Sequence, residues 1–377
     1  MNHLKKILLL ILSITSSLSF STTVSLKDKI GQMFIIGFEG KTIEADAPII
    51  KAIEENNIGG VILFDYNPKT KQFDKNIESP AQVQALNQSL QKIVKKANLS
   101  HLRDDVPLLI SVDYEGGKVN RLRKEYGFPE TYSAKTVGQM SKDQAKTIAQ
   151  TMTNTLKSSG FNLNFSPILD LDINPENPII GKLERSFSPN PYTVAAYAHL
   201  FSMQFLEQGI QCAYKHFPGH GSSEGDSHLG FVDVTDTWHE QELIPYQEQF
   251  AQTHHCGMVM AAHLVNRKLD LSGVPATLSY AVLTGLLRHQ LQFDGVIITD
   301  DMQMKAITDN YELEQALTMA INAGADMLIF GNQLSEKPQE PAELIDIVMK
   351  KIATGEISEQ RIEEAYQHIM QLKHTLA

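Results

Sequence analysis

Carboxylates and imidazoles recur just after apolar runs in this chain, and two of these groups have the makings of a bond-breaking site. Asp300 closes the run Gly295–Asp301, which begins Gly-Val-Ile-Ile-Thr. A carboxylate at the end of a buried strand is rigid and partly desolvated. Such a group can attack an electrophilic carbon, the anomeric carbon of a sugar among them. Asp300 and Asp301 also precede the stretch from Met302, where a helix N-cap would stand. The second group is Asp226-Ser227-His228, in a Gly/Ser-rich loop. In an extended segment, residues two apart point to the same side. The carboxylate can then fix the imidazole tautomer and favour its protonated form. A histidine tuned in this way can protonate a leaving oxygen and later deprotonate water.

Further polar groups follow the other apolar runs. Asp113 is followed by Glu115-Gly116-Gly117, Asp170 and Asp172 end a fourth run, and Lys215-His216-Phe-Pro-Gly-His220-Gly221 ends a fifth. His263 ends a sixth. Acceptors converging on one mouth suit a ligand rich in hydroxyls. The same residues admit a rival reading. His216, His220, Asp226 and His228 could hold Zn²⁺ and activate water, as in a metal-dependent hydrolase. Against it, Pro218 and Gly219 forbid the helix that would put His216 and His220 on one face. A non-catalytic sugar-binding protein is a third reading.

The elements that must position these residues are eight short, β-branched-rich runs: Gln32–Phe38, Gly59–Phe64, Leu108–Asp113, Leu163–Leu171, Gln211–Phe217, Gly257–His263, Gly295–Asp301 and Asp326–Gly331. Near-continuous apolar runs are strands buried on both faces of a parallel sheet. Amphipathic stretches lie between them. One opens at Ser79-Pro80 and runs to about Ala97. Another spans Ser141 to Ser159, with Ala145, Ile148, Ala149, Met152 and Leu156 on one face. Ser279 is an expected N-cap for Tyr280–Leu291. Glu340 to Leu376 reads as two outer helices. Eight strand-then-helix units predict an α/β fold, a closed (β/α)₈ TIM-type barrel forming a single catalytic domain. An open doubly wound sheet is the runner-up, but no G-x-G-x-x-G or P-loop follows the first strand.

Composition bounds the function classes. The chain has 377 residues, 42% hydrophobic and 20% charged, which argues for a globular protein and against disorder. The net charge of -11 disfavours a nucleic-acid partner, which needs a basic stripe. Lys5 and Lys6, the apolar run Ile7 through Phe20 and the small-x-small Ser19-Phe20-Ser21 form a secretory signal pattern. Residues 1–21 are therefore read as a signal peptide and 22–377 as the barrel. The run is too short and too rich in Ser and Thr for a good membrane span, so no stable insertion is expected after cleavage. The protein is expected to be exported, periplasmic or secreted. The only cysteines are Cys212 and Cys256, early in neighbouring strands. An oxidising compartment permits a bridge, yet two buried free thiols are the expectation.

The chain resembles bacterial β-N-acetylglucosaminidases of glycoside hydrolase family 3, in the single-barrel form linked to peptidoglycan recycling. An ordered series carries the likeness. Asp113-Tyr-Glu-Gly-Gly-Lys-Val-Asn-Arg121 resembles the family's D-x-E-G-G-R-V-x-R. Glu184-Arg185-Ser186-Phe187 resembles its R-S-F segment. Lys215 through Gly221 reads K-H-F-P-G-H-G, Asp226-Ser227-His228 matches D-S-H, and Thr299-Asp300-Asp301-Met302 resembles S-D-D-[LM]. The likeness covers about residues 28–375.

The resemblance implies a retaining exo-β-N-acetylglucosaminidase. In it Asp300 would form a glycosyl-enzyme, and His228 would be the acid/base with Asp226 as its partner. Asp113, Arg121, Arg185, Lys215 and His216 would bind N-acetylglucosamine. No metal or organic cofactor is implied, and the protein is expected to act as a monomer. Its substrate would be an N-acetylglucosamine-containing oligosaccharide or a muropeptide, with chitin-derived oligosaccharides as the alternative. Most retaining glycosidases pair two carboxylates. A histidine acid avoids like-charge repulsion with the nucleophile, and a mobile Gly/Ser-rich loop would let His228 swing in with substrate. Because a neutral histidine repels an anion less than a carboxylate does, phosphate in place of water stays open as acceptor. Lys118 stands where the family has Arg, and Tyr114 where Gln is common. The approach Gly181-Lys-Leu-Glu-Arg185 is longer than the family pattern.

Overall fold

The computed structural model describes residues 24–334 and 337–376. The signal pattern at 1–21 lies outside the described residues.

Each of the eight apolar runs contains a strand. They are β1 (Phe34–Gly37), β2 (Gly60–Ile62), β3 (Leu109–Val112), β4 (Leu163–Asn164), β5 (Gln211–Phe217), β6 (Met258–Ala261), β7 (Val296–Asp301) and β8 (Met327–Phe330). All neighbours are parallel, and β8 pairs with β1 through Phe34 opposite Leu328, which closes the barrel. The open-sheet alternative is thereby excluded. β1, β2, β3, β6 and β8 are buried at every residue, which is why their runs lack polar alternation.

The fourth strand is a correction. Leu163–Leu171 was expected to be strand throughout, but β4 stops at Asn164. Pro167 follows with no N–H to give the ladder. Contact with β5 resumes only as a bridge between Ile168 and Lys215.

The outer helices start where side chains can cap them. Ser79 Oγ accepts from Gln82 N at the head of Pro80–His101. Ser141 and Gln144 cap Lys142–Ser158 reciprocally, Ser141 Oγ taking Gln144 N and Gln144 Oε1 taking Ser141 N. On that helix Ala145, Ala149, Met152 and Leu156 are buried and Ile148 is half-buried. Ser279 Oγ accepts from Val282 N as expected, but Ala281–Gln290 winds with the wider i→i+5 turn in place of an α-helix. The C-terminal stretch forms Pro341–Ala353 and Glu359–His374. Among the described residues, no helix is long and apolar enough to cross a membrane.

The two cysteines are bonded to each other, which corrects the free-thiol expectation. β5 and β6 lie side by side with Ala213 opposite Met258. That register puts Cys212 and Cys256, each one or two residues earlier, 4.9 Å apart at Cα, within bridging range.

Candidate active site

A cavity of about 330 Å³ opens at the C-terminal ends of the strands. Asp113, Arg121, Arg185, Lys215, His216, His228 and Asp300 all line it, so of the eight residues singled out only Asp226 stands behind the wall. A different cavity of about 670 Å³ lies at the opposite end, near Cys256 and the last helix, with none of these residues in its lining.

Two register shifts aim the side chains. Between β7 and β8, Ile298 faces Met327 while Asp301 faces Ile329, so β7 holds one extra residue. Between β5 and β6, Tyr214 faces Val259 while Phe217 faces Ala261, again one extra. In a regular strand, neighbours point to opposite faces. A bulge breaks that alternation. Consecutive residues Asp300 and Asp301, and likewise Lys215 and His216, therefore all reach the cavity.

Asp113 and Arg121 meet through a small hairpin. Tyr114–Gly116 pairs antiparallel with Val119–Asn120, and the chain turns at Gly117-Lys118. Gly116 has φ +96°, and a Cβ there would lie 2.4 Å from Tyr132 O, so a side chain cannot stand at this position. The turn brings Arg121 Nη2 to 3.9 Å from Asp113 Oδ2. Asn164 at the end of β4 clamps the hairpin: its Oδ1 accepts from Tyr114 N and its Nδ2 donates to Tyr114 O.

Below the rim, charges interlock. Arg185 Nε and Nη2 donate to the two oxygens of Glu115, both at 2.8 Å. Lys215 Nζ reaches Glu115 Oε1 at 2.7 Å and Asp113 Oδ1 at 2.8 Å. Burial pushes the Glu115 carboxyl up, but Arg185 and Lys215 outweigh it and hold it down at about 2. Burial alone would lower Lys215, and Asp113 and Glu115 raise it above the ordinary lysine value. All four groups are thus charged near neutral pH. Arg185 Nη2 also lies 3.3 Å from His216 Nε2, and His216 Nδ1 lies 2.5 Å from Asp170 Oδ2. Arginine only donates, so Nε2 accepts and the proton sits on Nδ1, facing Asp170.

The long approach to Arg185 is accommodated by a turn. Glu184 takes φ +58°, and Arg185 N donates back to Ile180 O. Asn177, buried, pins this segment: its Oδ1 accepts from Ile179 N and Ile180 N, and its Nδ2 donates to His220 O. Lys118 donates to Lys182 O at 2.8 Å.

Asp300 ends β7. Burial pushes its carboxyl up, while His216, His263 and His228 draw it back below the ordinary carboxylate value. Its Oδ1 accepts from Asp301 N at 2.8 Å. Asp301 differs: burial raises it to about 7, and its Oδ1 accepts from Gln303 N. It caps a turn, and the short helix Lys305–Thr308 begins only later, with Met304 at its N-cap. His228 Nδ1 stands 2.8 Å from Asp226 Oδ1. Burial lowers the imidazole pKa, but Asp226 and Asp300 more than offset this and raise it above the ordinary histidine value. The pairing was legible but its geometry was not. The segment is a turn, closed by Leu229 N donating to Asp226 O.

The four residues of the rival metal reading are employed elsewhere. His220 lies between Ser223 Oγ and Ser227 Oγ, and His216 between Asp170 and Arg185. Among the described residues, no three His, Cys, Asp or Glu side chains are grouped as metal ligands.

Some functional candidates escaped the sequence reading. Asp65, three residues past β2, is buried and lies 2.5 Å from Arg123 Nε and 3.9 Å from Arg121 Nη1. Its signal was the same as for Asp113, a carboxylate just past an apolar run. Phe64, Gln333 and Leu334 complete the cavity wall, and nothing in their spacing marks them.

Comparison with known proteins bears on the fold and the family. A β-hexosaminidase A of Pseudoalteromonas piscicida is 31% identical over 346 residues, 86% of this chain. The chain spans about half of that protein, 54% of its length. The β-hexosaminidase LpqI of Mycobacterium tuberculosis is 28% identical over 93% of this chain and 83% of its own. Among solved structures, a family 3 β-N-acetylglucosaminidase from Paenibacillus superposes with a TM-score of 0.83 at 32% identity, covering 94% of this chain and 63% of that one. The β-N-acetylhexosaminidase of Beutenbergia cavernae gives 0.80 at 27% identity, over 93% and 99%. The family model described as the glycosyl hydrolase family 3 N-terminal domain matches residues 25–372, and the chain belongs to that family.

Proposed function

We propose that this protein is a retaining exo-β-N-acetylglucosaminidase. The observation that carries this reading is the placement of Asp300 and His228 on one cavity, with Asp226 bonded to the far side of the imidazole. Asp300 is ionised and attacks the anomeric carbon. The glycosidic C–O bond breaks, and the leaving oxygen takes the proton from His228 Nε2. The product is a glycosyl ester on Asp300 and a neutral imidazole. Water then gives its proton to that imidazole and attacks the same carbon, so Asp300 leaves as a carboxylate. Two displacements at one carbon retain the configuration. The names of the relatives support the N-acetylhexosaminide substrate. Asp113, Arg121, Lys215 and Arg185 supply acceptors and donors for its hydroxyl and acetamido groups, and His216, held by Asp170 and Arg185, forms the wall beside them.

The substrate is peptidoglycan fragments met outside the cytoplasm. The signal pattern of residues 1–21 and the bond between Cys212 and Cys256 both support export, since disulfides persist in oxidising compartments.

The test is turnover of 4-nitrophenyl N-acetyl-β-glucosaminide by the wild type and by Asp300→Ala, with and without a chelator. Activity that survives chelator and vanishes in the variant supports the reading. Activity abolished by chelator moves the assignment to a metal site.

A further inference from the structure

Behind the cavity wall, a second histidine that the chemistry above does not use joins the two loops that must cooperate. His220 is buried, with its ring edge-on to that of His216. Its backbone N donates to Asp170 Oδ1 at 2.7 Å. The same carboxylate receives the His216 backbone N and ring. Asp170 therefore holds the peptide on both sides of the Phe217-Pro218-Gly219 turn. The His220 ring then reaches outward to both stems of the loop that carries the dyad. Nδ1 lies 2.9 Å from Ser223 Oγ, and Nε2 lies 3.3 Å from Ser227 Oγ.

Ser227 stands between Asp226 and His228. Its hydroxyl meets His220, and its carbonyl accepts from Ala306 N at 3.3 Å. Ala306 belongs to Lys305–Thr308, the first helix after the strand that ends in Asp300 and Asp301. One buried residue thus ties the acid/base loop to the scaffold on one side and to the nucleophile's own segment on the other. Outward of it, the Leu229 and Phe231 side chains are exposed, and Gly230 has open space around its α-carbon.

We propose that His220 is a positioning residue, whose ring pins Ser227 and through it sets where Asp226 and His228 stand relative to Asp300. This rests on the roles given to Asp300 and His228 above. Burial lowers the His220 pKa to about 4, so the ring is neutral at working pH. A neutral ring has one donor and one acceptor nitrogen, which is what two serine hydroxyls, able to donate or accept, can satisfy.

The test uses the full chain with His220→Phe, which keeps a ring but loses both bonds, and Ser227→Ala, which removes only the outer one. The substrate is 4-nitrophenyl N-acetyl-β-glucosaminide, whose leaving group needs little acid help. A misplaced His228 then slows mainly the second step. Both variants are expected to lose about 10- to 100-fold in kcat, in line with an ångström-scale misplacement of a reacting group. KM should fall with it, and a burst of 4-nitrophenolate should precede slow turnover. Azide should restore the rate. Its terminal nitrogen attacks the anomeric carbon, the ester C–O bond breaks toward Asp300, and the product is the β-glycosyl azide, with no base required.

A loss of kcat without a burst and without azide rescue would overturn the proposal, as would unchanged kcat in Ser227→Ala. If His220→Phe fails to fold, Ser227→Ala carries the test alone. A wild type without turnover would instead overturn the functional reading itself, and is told apart by that one measurement.

Discussion

One oxygen of Asp226 holds His228 twice. Oδ1 lies 2.8 Å from the ring Nδ1 and accepts the His228 backbone N–H at 2.9 Å. The double contact is an Asx turn, in which a carboxylate bonds the backbone two residues on. It fixes the imidazole about its own main chain, so the free nitrogen, Nε2, is presented to the cavity.

The dyad makes a pH prediction. Asp226 and Asp300 raise the His228 pKa, so the protonated acid persists to higher pH than an ordinary histidine would allow. Removing Asp226 takes away a cause that raises it. Asp226→Asn should move the alkaline limb of the kcat/KM profile to lower pH and cut activity about 10- to 100-fold on substrates with poor leaving groups. Profiles on a disaccharide, where acid help is required, check this. An unmoved alkaline limb would mean that the limb belongs to another group.

The pair Arg185 and Glu115 should matter to both folding and binding. Both are buried and joined by two bonds. Arg185→Met leaves Glu115 with Lys215 as its remaining cation. A loss of about 2–4 kcal/mol is expected in urea unfolding, toward the lower part of what breaking a buried pair costs, because Lys215 still faces Glu115. KM should rise as well, because His216 loses the Arg185 contact that fixes its tautomer.

Glu242 should make stability depend on pH. It lies beneath the motif turn, where its Oε2 accepts from Gly221 N while Oε1 has no hydrogen-bond partner among the described residues. Burial raises its pKa from 4.5 to about 7. The unfolded chain ionises this group from about 4.5, whereas the folded chain resists until about 7. Stability therefore falls as pH rises between those values and levels off above them. Glu242→Gln should flatten this decline and be about 1–3 kcal/mol more stable than wild type at pH 8. Melting temperatures of both proteins from pH 4.5 to 8 test it. Parallel curves would contradict the assignment.

The disulfide should stabilise without touching catalysis. It joins residues 44 apart in sequence, next to the cavity at the end opposite the site. Closing a loop of that length contributes about 3–4 kcal/mol in the chain-entropy view. Cys212→Ser with Cys256→Ser should lower the melting temperature by several degrees and leave kcat near wild type at 25 °C.

The strands and the polar groups that directly follow them were legible because each obeys a local rule, whereas Arg121 and Arg185 were named only through the family resemblance. A strand buried on both faces needs a continuous apolar run, and a mouth needs polar groups just past it. Val296 to Asp301 shows both rules at once. What the rules miss is set by tertiary register. The extra residues at Lys215-His216 and Asp300-Asp301 leave no mark in composition, because a bulge is defined only against the neighbouring strand. The break after Asn164 comes from Pro167, which sits among apolar residues that by themselves read as strand. The bridge between Cys212 and Cys256 depended on how β5 and β6 align. His220 was legible as part of the Lys215–Gly221 motif, but its ring bonds to Ser223 and Ser227 depend on how the following loop folds back, which spacing does not show.

The central claim is that Asp300 becomes covalently bonded to the sugar. The direct test is to trap the wild-type enzyme with a fluorinated N-acetylglucosaminyl substrate that slows the second step, then digest it and map the modified peptide by mass spectrometry. A single glycosyl adduct on Asp300, absent in Asp300→Ala, is expected. An adduct on another side chain, or an enzyme that turns over such substrates with no adduct at any time, would contradict it.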